Sequence, residues 1–198
     1  MSYNIVDGEL SWRMAEVPLV KQLNQRGIFT DFFNGNTLTS FNTKATNPYY
    51  YRMDIQISHP YRILLDAKYT ETPHRLSKEH AGIDDPLDCL RISSKNIIQY
   101  RDDSKIYRAE TWLGIRTFAP YQAGDYFVPV NIFKIGDKKN IYGSICKSYD
   151  EKYYLFNKTR CYTFDEFEKY IKADRFSQSE MMDELHERFW DPNWFRDN

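Results

Sequence analysis

The chain has 198 residues, with 27 lysines and arginines against 28 aspartates and glutamates. This length is enough for one sizeable core, so a single domain is the default expectation. A net charge of −1 gives no overall basic field and argues against a protein that grips nucleic acid through global charge, although a local basic groove stays open.

The cysteines and the hydropathy pattern limit the compartment. Cys89, Cys146 and Cys161 are widely spaced and form no C-x-x-C pair, which argues against a disulfide framework or a structural zinc site. No basic segment followed by an apolar one begins the chain, and no run approaches the ~18 apolar residues of a membrane span. We therefore expect a soluble, cytoplasmic protein that does not associate with membranes.

The first predicted element is a helix over residues 8–26, with an apolar stripe at helical spacing. Pro18 either kinks this helix or starts a second one, and Gly27 is a suitable C-cap. Glu16 lies at the edge of the stripe, and Glu9 lies on nearly the same face. Taken alone, each is best interpreted as an ordinary boundary glutamate. Residues 30–48 are predicted to be a loop or a short hairpin.

Residues 49–69 are predicted to form a β-hairpin, because β-branched and aromatic residues dominate two runs separated by Ser58-His59-Pro60-Tyr61. If the strands pair about a turn near Pro60, facing residues have numbers that sum to about 120. Asp54 then lies opposite Asp66. Side chains alternate along a strand, so Asp66 and Lys68 share one face. Two carboxylates and an ammonium group are therefore expected together.

Such a cluster has two interpretations, to which we give equal weight on these residues alone. Two facing carboxylates repel, and burial raises their pKa unless a cation neutralises them. A hard divalent cation such as Mg²⁺ is commonly held by one or two carboxylates, and Lys68 would orient water or a phosphate beside it. The alternative is a salt bridge on a solvated face of the sheet. The apolar residues that lead into Asp66 favour the buried site.

After the hairpin, residues 70–88 are polar and are predicted to form a loop or a short helix. Arg75 and Lys78 lie just beyond the end of the Lys68 strand and could meet a phosphate, or could simply be solvated. His74 and His80 lack the spacing of a zinc site. Residues 89–109 are predicted to be helical, with Ser93 or Ser94 as the N-cap.

The remaining pattern completes an α/β fold. Strands are predicted over 110–121, 126–135, 141–147 and 153–156, and Thr163 with Glu166 forms a capping box for a helix over 164–173. Together with the hairpin, this predicts a central mixed sheet of about five strands flanked by helices. We expect one domain over 1–175 and a C-terminal aromatic and acidic helical tail over 176–198 that packs on it.

The order of these parts resembles the PD-(D/E)xK nuclease superfamily, whose fold is restriction-endonuclease-like. The resemblance rests on Asp54, on Asp66-Ala67-Lys68 in the next strand, and on the helices before and after them, and it covers roughly residues 16–146. Within the superfamily, the segment Asn96–Asp102 is similar to nuclease domains related to the cleavage subunit of modification-dependent restriction systems.

The resemblance implies roles for individual residues. Asp54 and Asp66 would ligate Mg²⁺, with Mn²⁺ as a substitute, and the Ala67 carbonyl would be a further ligand. Lys68 would position or activate the attacking water. Glu16, or alternatively Glu9, would complete the metal site from the first helix.

A fourth motif is expected on the helix that follows the catalytic strand. Gln99 would be catalytic, while Tyr100 and Arg101, together with Arg75 and Lys78 in the preceding loop, would contact substrate. This helix is short of the usual spacer residues, so which of Gln99, Tyr100 and Arg101 points at the substrate stays open.

The implied function is a metal-dependent endonuclease that hydrolyses phosphodiester bonds of DNA in a restriction, defence or DNA-processing system. Its expected partners are DNA, a larger motor or recognition subunit, and a second copy of the chain. The alternative is a catalytically inactive nuclease-fold scaffold that binds a protein or nucleic acid. The residues do not separate DNA from RNA as the substrate.

Overall fold

The computed structural model describes residues 12–32, 53–58, 61–70, 73–118, 123–134, 145–148 and 151–190. Within these residues the chain forms a mixed α/β fold around a six-stranded sheet flanked by helices, which confirms the predicted fold class. Its strands, in spatial order, are β1 (Thr30–Phe32), β2 (Ile55–Ile57), β3 (Ile63–Thr70), β5 (Glu110–Thr117), β6 (Gly124–Pro129) and β9 (Tyr162–Thr163). β3 and β5 are parallel, and their neighbours are antiparallel.

A second sheet has three antiparallel strands, in the order β4 (Cys89–Ser93), β8 (Glu151–Asn157) and β7 (Ile145–Ser148). The described helices are α1 (Val17–Gln25), α2 (Ser77–Ala81), α3 (Ser94–Tyr107), α4 (Phe164–Lys172) and α5 (Arg175–Trp190). None of them is both long and apolar enough to cross a lipid bilayer. α3 contacts β5 of the large sheet as well as β4 and β8 of the small one.

The two faces of β3 are covered by different helices. Ala67 of β3 pairs with Gly114 of β5. A β-carbon added at Gly114 would lie 3.1 Å from Leu19 in α1 and 3.2 Å from the Phe127 ring. Glycine therefore allows α1 to lie close against the sheet. Asp66 and Lys68 alternate with Ala67 and project to the opposite face, where α3 packs.

The predicted helix over 89–109 is wrong at its start. Residues 89–93 form β4, which pairs with β8 from Cys89↔Asn157 to Ser93↔Tyr153. The paired residues are 60 to 68 positions apart along the chain, so local spacing could not reveal the strand. The helix begins after Ser93, which is the N-cap and one of the two residues predicted for that position.

The first predicted helix is also interrupted. Trp12–Glu16 is a π-helical turn, and α1 begins after it at Val17. Pro18 lies in the first turn of α1, so it starts a second helix and does not kink a single one. Gly27 follows with a φ of 77°, consistent with a helix end that requires a left-handed residue. Residues 8–11, including Glu9, lie outside the described residues.

The C-terminal half contains elements close to those predicted. Thr163 and Glu166 form a reciprocal capping box at α4, in which the Glu166 carboxylate accepts from the Thr163 N–H at 2.7 Å. α5 begins at Arg175, and its Leu185 and Phe189 side chains are buried in the core. Residues 191–198 of the predicted tail lie outside the described residues.

Candidate functional site

The hairpin register brings Asp54 to Asp66. β2 and β3 pair as Ile55↔Leu65, Gln56↔Leu64 and Ile57↔Ile63, so the numbers of facing residues sum to 120. Asp54 continues this register, since its N–H donates to the Leu65 carbonyl at 3.0 Å. Its carboxylate then accepts from the Ala67 N–H at 3.0 Å, beyond the last pair of the two strands. One oxygen of Asp54 thus fixes the carboxylate against β3.

Asp66 and Lys68 form an ion pair in which the two partners have very different surroundings. Lys68 Nζ donates to Asp66 Oδ1 at 2.8 Å; the Asp66 side chain is fully buried, while that of Lys68 is 35% exposed. Asp66 Oδ2 is buried and has no hydrogen-bond partner among the described residues. A buried carboxylate oxygen left in this way is costly, and a bound ligand would satisfy it.

The charges of the site perturb one another. Burial, followed in the same direction by the charge of Asp54, raises the pKa of Asp66 to about 7 despite the opposing effect of Lys68. Desolvation lowers the pKa of Lys68, but the charge of Asp66 and those of its neighbours outweigh it and raise that pKa well above 10.5. Lys68 is therefore a cation at neutral pH, which suits it to orient water or phosphate and not to remove a proton.

Of the three residues proposed on α3, Tyr100 is the one beside the carboxylates. Its ring is buried, and burial together with the charge of Asp66 raises the pKa of its hydroxyl well above 10. Gln99 is half-buried. The Arg101 guanidinium is held elsewhere, since it donates to the carbonyls of Asn131 and Phe133. The sequence left this choice open because helical spacing alone does not show which side of a helix meets a sheet.

Glu16 is buried at the end of the π-helical turn, which packs on β3 and β5. Among the described residues, however, no group of three or more histidine, cysteine, aspartate or glutamate side chains is arranged to hold a metal ion. The donor set at hand is therefore Asp54 and Asp66. Two carboxylates with one unsatisfied oxygen fit Mg²⁺, which commonly binds one or two carboxylates and takes its other ligands from water and substrate phosphate.

The segment after β3 contains the two other predicted substrate contacts, Arg75 in the loop and Lys78 in α2. Lys78 pairs with Asp84 at 2.8 Å, with both side chains largely exposed, and Arg75 is exposed. His74 and His80 contact each other, with 3.0 Å between Nε2 and Nδ1. Surface ion pairs of the Lys78 kind contribute little to stability, so Lys78 can exchange Asp84 for another anion at small cost.

Comparison with known proteins finds similarity among solved structures. No protein-family model matches the chain, and a search of curated proteins finds no match. Among solved structures, the chain is similar to Hjc, a Holliday junction resolvase from the archaeal hyperthermophile Archaeoglobus fulgidus. The TM-score is 0.49 and the identity 13%, over 80% of this chain and 95% of that chain. A likeness at this level does not bear on activity, which has to be argued from the residues of the site.

Proposed function

We propose that the chain is a metal-dependent nuclease that hydrolyses phosphodiester bonds of DNA at Asp54, Asp66 and Lys68. The observation that carries this proposal is the fully buried Asp66, with one oxygen on Lys68 and the other lacking a partner among the described residues. A purely structural ion pair would not need to leave a buried carboxylate oxygen in that condition. The motif order noted in the sequence supports the same interpretation.

Asp54 and Asp66 would hold the metal, with Mg²⁺ as the expected ion and Mn²⁺ as a substitute. When bound, such an ion supplies Lewis acidity and lowers the pKa of coordinated water. The Ala67 N–H fixes the Asp54 carboxylate, so this ligand needs little reorganisation. Ala67 as a carbonyl ligand and Glu16 as a further carboxylate remain part of the proposal.

Lys68 would act at the boundary between the buried carboxylates and solvent. Its Nζ is anchored on Asp66, and its partly exposed side chain lets the remaining N–H groups face an incoming phosphate or the attacking water. Tyr100 would lie beside Asp66 as a neutral group, because its raised pKa keeps the hydroxyl protonated. Gln99, Arg75 and Lys78 would be the residues around the substrate. Arg101 would join them only by leaving the carbonyls of Asn131 and Phe133.

The proposed activity has an expected role, compartment and set of partners in the cell. The superfamily resemblance favours a restriction, defence or DNA-processing role in the cytoplasm, with a larger motor or recognition subunit, or a second copy of the chain, as partner. An inactive scaffold with the same fold is the competing function, and it is favoured by the lack of a third ligating side chain among the described residues.

The test is cleavage of supercoiled plasmid DNA with Mg²⁺ or Mn²⁺. Asp66→Asn and Lys68→Met should abolish nicking. The matched controls are Asp102→Asn and Lys105→Met, which alter an exposed aspartate–lysine pair on α3 whose atoms are 3.5 Å apart. These controls should cleave normally. Equal activity in all four variants would refute the site.

A metal titration by calorimetry separates the nuclease from the scaffold. Wild-type protein should bind Mg²⁺ or Mn²⁺, and Asp66→Asn should not. A protein that binds neither ion and cleaves neither DNA nor RNA is the scaffold. Cleavage of RNA alone would retain the chemistry and correct the substrate.

A further inference from the structure

A recess of about 610 Å³ lies at the start of β3 and β5, on the far side of Asp66 from the Lys68 end of the strand. Arg62 immediately precedes β3, Arg108 follows α3, and Arg175 begins α5; we refer to this site as the arginine recess. Its volume is within the roughly 300–1,000 Å³ typical of small-molecule sites. Arg62 lies four positions before Asp66 in the chain, so the recess is distinct from the carboxylate site.

One of the three arginines is neutralised within the recess. Arg175 pairs with Glu110 at 3.1 Å, and its guanidinium lies 3.7 Å from the centre of the Tyr61 ring. Glu110 also accepts from the Tyr170 hydroxyl at 2.7 Å. Arg175 and Glu110 are therefore mutually satisfied and form one wall of the recess. Asp183, on α5, is exposed and is the other carboxylate of the lining.

The other two arginines both line the recess, and neither has such a partner among the described residues. Arg62 donates to the Tyr107 carbonyl at 3.3 Å and to Gln56 Oε1 at 3.5 Å, both of which are neutral acceptors. Arg108 is the next residue after Tyr107. Within the described residues, neither guanidinium forms an ion pair with a carboxylate. Two exposed guanidinium groups thus line a concave surface with their charge uncompensated.

Arg108 occupies a backbone position that suits another residue better. It ends α3 with a φ of 48°, in the left-handed region where glycine is favoured because it has no β-carbon. It is the non-glycine residue with positive φ in the described part of the chain. Arginine at such a position lowers the stability of the fold, and its presence there favours a role for its side chain.

We propose that the arginine recess binds a phosphate monoester of nucleotide size, with the phosphate on Arg62 and Arg108. A planar guanidinium matches two phosphate oxygens, and two such groups suit a dianion. Glu110, being satisfied by Arg175 and Tyr170, leaves both arginines available to the ligand. This site is independent of the proposed nuclease activity, since it shares no residue with Asp54, Asp66 or Lys68.

The test is isothermal titration calorimetry of the full chain, without divalent metal, with deoxyadenosine monophosphate, inorganic phosphate and deoxyadenosine as probes. The two phosphates should bind with a Kd of about 1 mM or lower, and the nucleoside should not. Arg62→Gln combined with Arg108→Gln should weaken binding at least about tenfold. The control is Arg91→Gln. Arg91 is an exposed arginine on β4 that stacks on Tyr153, and the variant should bind the two phosphates as wild type does.

Arg108→Gly guards against loss of binding through misfolding. Glycine relieves the left-handed position, so this variant should raise Tm by about 2–4 °C and still bind phosphate more weakly than wild type. Absence of heat with both phosphates at about 5 mM would overturn the proposal, as would unchanged affinity in the double variant. A short duplex with 5′-hydroxyl ends is the last probe: if it binds through these arginines and the mononucleotide does not, the recess contacts a nucleic-acid backbone and the proposal is wrong.

Discussion

Two ion pairs on the large sheet, Arg116–Asp125 and Lys68–Asp66, differ in how fully the carboxylate is hydrogen-bonded. Arg116 donates to both oxygens of Asp125, at 2.7 and 2.8 Å, and a second bond from Nη2 reaches Gln22 at 2.7 Å. Asp66 receives one bond from Lys68 and leaves its other oxygen without a described partner. The first pair is complete and joins β5 to β6, whereas the second retains capacity for a ligand. The two pairs therefore differ in how completely their carboxylates are hydrogen-bonded.

The largest expected effect is on cleavage. Lys68→Met should lower kcat/KM by about 10³-fold, because a positioned charge at the reacting phosphate is lost, while Arg116→Met should leave the activity of the folded fraction within about threefold. Both are measured by plasmid nicking, normalised to the folded fraction from circular dichroism. Comparable losses in the two variants would show that the pairs do not differ in role.

The second expected effect reverses the order of the pairs. Arg116→Met removes one partner of a mostly buried pair and should lower the free energy of unfolding by about 2–4 kcal/mol. Asp66→Asn should not destabilise the protein to that extent, because it replaces a carboxylate that is buried and half-satisfied. Urea unfolding followed by fluorescence gives both values. A larger loss in Asp66→Asn would make Asp66 a structural residue.

The third effect concerns pH in the absence of metal. Asp66 titrates near 3.8 when unfolded and at about 7 when folded, so between these values the folded state binds the proton more tightly. This group therefore contributes stability that is lost as pH rises from about 4 to about 7. Asp66→Asn lacks this loss, and its free energy of unfolding should gain on wild type by up to about 1.4 kcal/mol per pH unit across that window.

Urea unfolding in EDTA at about pH 4 and about pH 8 brackets that window. Wild type and Asp66→Asn should diverge toward the higher pH. If the free energy of unfolding changes equally with pH in the two proteins, Asp66 is ionised throughout. It would then not differ in this respect from Asp125 in its pair with Arg116.

The smallest effect is stabilisation by metal. Mg²⁺ at about ten to one hundred times its Kd should stabilise wild type by about 1.4–2.7 kcal/mol, since the ion binds the folded state. Arg116→Met should gain as much from the ion, and Asp66→Asn should gain nothing. Thermal unfolding with Mg²⁺ and with EDTA measures the shift. A similar gain in Asp66→Asn would place the ion elsewhere.

Much of the site could be predicted because its geometry is local. The turn near Pro60 and the period of two along a strand determine that Asp54 faces Asp66, and the observed register agrees. β4 could not be predicted in the same way, because its pairing with β8 joins distant segments. The three arginines of the recess come from three separate elements, so no spacing in the sequence links them. Tyr100 was named, but only the packing of α3 between two sheets distinguishes it from Arg101.

α3 connects two places where charge is concentrated. Tyr100 lies beside Asp66, and Arg108 ends the same helix eight residues later, a distance of about 12 Å along its axis. β3 also reaches both places. Its stretch from Ile63 to Ala67 is buried throughout and paired with β5, and its first three residues are also paired with β2, so it cannot bend readily. α3 therefore joins the two places through one continuous helix, which packs against both the large sheet and the three-stranded sheet.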